Sequence, residues 1–181
     1  PQVRFSLLPM NGAPVALQVG DFDNDLNDDV ALAGDQGVSV FLGDGLGNFP
    51  ISTFTPVPLL TDIALDFVDG DANLDIVASS GRRLSGPGET EEGFVTTLLG
   101  NGDGTFSNAG ALDLGRAVAS VLVGDLVGSP DVDALVAIHE YAGGPGGVPL
   151  GRIEVLVGDG SGGFTESVDW PGVLAPSGQG I

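Results

Sequence analysis

The chain has 181 residues, with 31 glycines, 12 prolines, no cysteine and 42% hydrophobic residues. That is enough for one domain with a sizeable core, and it excludes disulfides, thiolate metal sites and cysteine nucleophiles. Asp and Glu total 25 against five Arg and no Lys, for a formal net charge of −20. This charge repels polyanions and points away from nucleic acid and anionic lipid as partners.

Taken in chain order, the apolar and β-branched runs fall at 15–19, 30–33, 38–42, 63–65, 76–78, 94–99, 118–123, 134–138 and 153–157. Each is bounded by Gly, Asp, Asn or Pro, the pattern of strands joined by turns. No window supports a helix of useful length. No apolar run approaches the roughly 20 residues that span a bilayer as a helix, so no membrane insertion is expected. The acids are lopsided, 19 Asp to six Glu, and Asp suits turns and metal loops better than helices.

Two elements recur. A glycine-rich turn ending in Phe appears at 42–49, 99–106 and 157–164, with Phe49, Phe106 and Phe164 at its end. Upstream of each turn, an apolar strand runs into an Asp-rich loop and out into a second apolar strand. One repeat therefore reads as four antiparallel strands, and a four-stranded unit returning every 45–60 residues or so predicts an all-β fold of β-propeller blades. The expected blades are approximately 12–58, 59–114 and 115–172, with 1–11 and 173–181 belonging to adjacent blades. Propellers close with about four to eight blades. Three blades plus a flanking strand at each end thus predict either a sector of a longer propeller or a chain that closes by assembly.

The first loop is the most regular. With Asp21 as position one, carboxylates occupy positions one, three, five and nine, namely Asp21, Asp23, Asp25 and Asp29. Asn27 at position seven can add its backbone carbonyl. Clustered like charges repel, and an oxygen-only donor set suits Ca²⁺, which accepts six to eight oxygens in flexible geometry. Zinc would call for His or Cys.

The loop and the glycine-rich turn together resemble FG-GAP/VCBS repeats, the blades of integrin alpha-like propellers and of many bacterial surface proteins. The resemblance spans nearly the whole chain. The family loop, Asp-x-Asp/Asn-x-Asp-Gly-x-x-Asp, implies calcium held between the first two strands of a blade. Leu26 stands where that pattern has glycine, which implies a strained turn.

In the second loop, Asp75 at position nine places Asp71 at five, Asp69 at three and Asn73 at seven. Phe67 then falls at position one, and a single inserted residue such as Val68 would bring Asp66 in as a ligand. The third loop keeps Asp125 and Asp133 but has Val127 and Ser129 in place of the middle acids. It reads as a hairpin without metal, so the expected cofactor is one to two Ca²⁺ per chain.

Two long connections, 80–93 and 139–151, are expected at the opposite end of the blades, and they carry the candidate binding residues Arg82, Arg83, His139 and Tyr141. Catalysis has little to draw on: His139 is the only histidine, and nothing marks a nucleophile or an oxyanion hole. The expected role is therefore not enzymatic. It is that of a calcium-stiffened extracellular or cell-surface module for protein interaction, adhesion or self-assembly. The alternative is a carbohydrate-binding or accessory propeller of a secreted enzyme, with Trp170 or Tyr141 stacking on a glycan.

Overall fold

A computed structural model describes residues 11–82, 92–142 and 148–166. These residues form twelve strands in three four-stranded antiparallel sheets, and no helix is found among them. The first sheet holds β1 (Pro14–Gly20), β2 (Asp29–Gly34), β3 (Gly37–Leu42) and β4 (Ile51–Pro56). The second holds β5 (Leu60–Asp66), β6 (Asp75–Arg82), β7 (Glu92–Gly100) and β8 (Phe106–Asp113). The third holds β9 (Val118–Gly124), β10 (Asp133–Ala142), β11 (Val148–Gly158) and β12 (Phe164–Glu166). Within each sheet the strands lie in chain order, every neighbour joined by a hairpin.

Strand registers make the three sheets equivalent residue by residue. Gly20 pairs with Asp29, Asp66 with Asp75 and Gly124 with Asp133. The same alignment sets Leu17 level with Ile63 and Val121, and Val38 level with Val95 and Ile153. Side chains alternate between the two faces of a strand, so each sheet has a front face, marked by Leu17, Ile63 or Val121, and a back face, marked by Val38, Val95 or Ile153.

The sheets stack front to back. Ile63, Ile76, Ala78 and Leu98 from the second sheet's front pack with Ala31, Ala33, Val38 and Val40 from the first sheet's back. Val121, Ala134, Val136, Ile138 and Leu156 from the third sheet's front pack with Ala64, Val77 and Val95 from the second sheet's back. Small and β-branched residues dominate both layers, which lets the sheets approach closely while filling the space between them. The first strands of successive sheets lie side by side, β1 against β5 and β5 against β9. They are tied by a bond from Gln18 Nε2 to the Ile63 carbonyl (3.1 Å) and one from Thr61 Oγ1 to the Val118 carbonyl (2.8 Å).

Some boundaries differ from the sequence expectation. β10 runs on through Ala142 and β11 resumes at Val148, with His139 opposite Gly151 and Tyr141 opposite Pro149. Much of the expected 139–151 connection is therefore strand, because its backbone groups find partners across the hairpin. Likewise Arg82 pairs with Glu92 at the end of β6 and β7. Phe106 and Phe164 open β8 and β12, whereas β4 begins at Ile51, since Pro50 has no N–H to give a ladder.

Candidate metal centres

The three Asp-rich loops join the first and second strands of each sheet, and their backbones correspond position for position. The fourth residue is left-handed in all three, with φ of 60° at Asn24, 77° at Gly70 and 75° at Gly128. Asn and Gly are the residues that tolerate this conformation. The first loop takes a second left-handed residue at Leu26 (φ 70°), a strained choice for a bulky side chain.

Each loop closes on its ninth-position aspartate, which is wholly buried in all three sheets. Asp29 accepts bonds from the Phe22 amide (2.8 Å) and the Gly43 amide (2.7 Å). Asp75 accepts from the amides of Val68 and Gly100, both at 2.8 Å. Asp133 accepts from Leu126 and Val127 (2.9 Å each) and from Gly158 (3.1 Å). One carboxylate thus ties the acidic loop to the glycine-rich turn after the third strand. It satisfies buried and part-buried backbone donors that would otherwise be costly to leave unpaired.

The glycine-rich turn abuts the loop a second time. A Cβ at Gly45 would fall 2.4 Å from Asn27 Oδ1, one at Gly102 2.5 Å from Asn73 Oδ1, and one at Gly160 2.5 Å from Asp131 Oδ1. These glycines also hold φ near +70°, a left-handed conformation that favours glycine there. Within the turns, Asp44, Asp103 and Asp159 are held below the usual carboxylate range by bonds from Asn48, Thr105 and Ser161 respectively.

Around two of the buried aspartates the loops gather further carboxylates. Asp21, Asp23 and Asp29 bring one oxygen each to within 4.8 Å of one another, and so do Asp69, Asp71 and Asp75. Both groups could hold a metal ion, and both offer oxygen donors alone, which suits a hard cation. Partial burial, then the charges of Asp29, Asp25 and Asp21, push the Asp23 carboxyl up. Burial chiefly raises that of Asp75, opposed by the Gly100 and Val68 amides, with Asp69 and Asp71 adding to the rise.

The other candidate residues fall outside these two groups. Asp25 accepts bonds from the Asn27 backbone (2.7 Å) and Asn27 Nδ2 (2.8 Å) and so shapes the end of its loop. Asp71 binds Asn73 in the same way (2.6 and 2.7 Å) while also belonging to its group. Asp66 closes β5 opposite Asp75, level with Gly20 and Gly124. The second loop therefore has the same length as the others, with no inserted residue at Val68. Val68 is instead the buried counterpart of Phe22, donating its amide to Asp75.

At the far end of the sheets, Arg82, His139 and Tyr141 are placed by their strand positions alone, and Arg83 and Trp170 lie outside the described residues. Sequence reasoning missed the structural duty of the ninth position. The signal was present in the third loop, which keeps Asp133 after the middle acids are gone. The chain matches no protein-family model and no curated protein.

Proposed function

We propose that the chain is a sector of a β-propeller, stiffened by calcium at its first two acidic loops and serving outside the cell as a non-enzymatic interaction module. The observation that carries this reading is the pair of carboxylate groups, Asp21–Asp23–Asp29 and Asp69–Asp71–Asp75, each anchored on a buried aspartate. Their oxygen-only chemistry and loop setting favour Ca²⁺ over zinc, which prefers nitrogen and sulfur, and over Mg²⁺, which holds its waters and demands octahedral order. Front-to-back stacking of four-stranded sheets, first strands side by side, supports the propeller sector.

Calcium here is structural. It would draw together carboxylates that otherwise repel, and filling two sites would bring the formal charge from −20 to about −16. Binding to the folded chain alone stabilises by roughly 2.7 kcal/mol per site at a hundredfold excess over Kd. Extracellular calcium is concentrated enough to fill even weak loops of this kind.

Calorimetric titration with calcium, paired with thermal unfolding and a magnesium control, tests this. One to two ions per chain and a raised Tm are expected, with Asp23→Ala losing one ion while the metal-free fold persists. Asp23 is the better choice than Asp29, whose removal would also break the loop's backbone bonds. Saturating calcium that neither binds nor raises the Tm would sink the reading.

A further inference from the structure

Side chains join the loop ends of the first and second sheets. Asn24 Nδ2 donates to Asn73 Oδ1 at 2.9 Å, across 49 residues of sequence. Asn73 Nδ2 donates in turn to Asp71 Oδ2 at 2.7 Å. An ionised carboxylate only accepts, so Asp71 fixes which way the Asn73 amide points, and Asn24 must then be the donor. Asn24 is the left-handed fourth residue of the first loop, and Asn73 is the seventh of the second. Gly102 of the second glycine-rich turn lies against the pair: a Cβ there would fall 2.5 Å from Asn73 Oδ1 and 3.0 Å from Asn24 Nδ2.

The first sheet holds the same turn twice more. The Gly104 amide donates to the Phe22 carbonyl at 3.0 Å, and the Gly104 carbonyl accepts the Thr53 hydroxyl. Phe22 belongs to the first loop and gives its own amide to the buried Asp29. Its ring meets that of Phe106, at the start of β8, edge-on at 5.8 Å. First loop, second loop and second turn therefore share one set of bonds.

Between the second and third sheets both side-chain ties are replaced by glycine. Gly70 holds the place of Asn24, with the same left-handed backbone and no side chain to offer the third loop. Strand register puts Gly110 in the place of Thr53, since Thr53 pairs with Val40 and Gly110 with Thr97, level with Val40. We propose that the first and second acidic loops, together with the second glycine-rich turn, open and close as one cooperative unit, and that the third loop opens on its own. Folded chains open locally in such units, each with its own free energy, and bonds that span two loops make the opening of one depend on the other. The inference rests on these bonds and holds for the metal-free chain, so it is independent of the calcium reading. An ion that ordered either loop would act on the other through the same coupling, which is reciprocal.

Residue-resolved amide hydrogen exchange of the full 181-residue chain in the presence of a chelator tests the inference. Asn24→Gly keeps the left-handed backbone, Thr53→Val keeps the β-branched shape, and each removes one tie from the first sheet. Combined, they should speed exchange about tenfold at Val68 and Gly100, whose amides bond Asp75 in the second sheet. Either substitution alone should give a smaller rise at the same amides. Leu126 and Gly158, which bond Asp133 in the third sheet, should keep their wild-type rates. In the reverse direction, Asn73→Ala should speed exchange at Phe22 and Gly43, which bond Asp29 in the first sheet. Acceleration confined to the sheet that carries the substitution overturns the inference. So does equal acceleration at Leu126 and Gly158, which would mean that the whole chain has loosened rather than one unit. A chain that shows the expected pattern yet binds no calcium would lose the calcium reading alone.

Discussion

The first and third acidic loops share a backbone and differ in chemistry. Both turn through a left-handed fourth residue, and both close on a buried aspartate that receives amides from the loop and from the glycine-rich turn. The first gathers Asp21 and Asp23 around that aspartate; the third keeps Asp125 at the first position but has Val127 in the place of Asp23 and Ser129 in that of Asp25. The third loop forms the same hairpin with its ninth aspartate and without acids at the third and fifth positions. The ninth aspartate thus serves the hairpin in both loops, and in the first it belongs to the carboxylate group as well.

The strongest way to break this comparison is to remove the shared element where no metal group exists. Asp133→Ala strands the amides of Leu126, Val127 and Gly158 and should cost about 3 kcal/mol or more. Urea unfolding measures the loss, and calcium stoichiometry should stay unchanged. A cost below about 1 kcal/mol would mean that the buried carboxylate is dispensable.

A second test runs in the other direction. Val127→Asp combined with Ser129→Asp should furnish the third loop with acids around Asp133 and add one ion by calorimetry. The gain would be roughly 2.7 kcal/mol at a hundredfold excess of calcium over Kd. If no ion is gained, carboxylates at these positions are not sufficient and the parallel between the loops fails.

The smallest effect concerns the first loop's own strain. Leu26 is left-handed and almost fully exposed. Leu26→Gly relieves a conformational cost of about 1–2 kcal/mol against an entropic loss of about 0.5–1 kcal/mol. The net expectation is a stabilisation of about 0.5–1 kcal/mol, read as a higher urea midpoint, and destabilisation would show that the leucine makes a contact worth more than the strain.

Much of the fold was legible because its signals are local. Alternating apolar runs set the strands, and Gly, Asn and Asp set the turns. Asp21, Asp23, Asp69 and Asp71 were legible as members of groups that could hold a metal ion, since their spacing lies within one tight loop, although the same spacing also suggested Asp25, which lies outside the group. What was not legible depends on partners distant in the chain. Asp29 looks like any other acid of its loop until Gly43 is seen to donate to it. Gly45 looks like a turn former until Asn27 is found against it. Asp66 lies near enough in sequence to suggest a ligand, and only the pairing of β5 with β6 places it level with two glycines. The reach of β10 and β11 was likewise hidden, because ladder bonds between His139 and Gly151 leave no mark in composition.

The buried aspartates also bear on how such loops can change. A hairpin that completes its backbone bonds before any ion arrives exposes its remaining acids to substitution one at a time, each step leaving a foldable chain. The capacity to hold a metal ion can then be gained or lost loop by loop along a repeat array while the hairpin itself is kept.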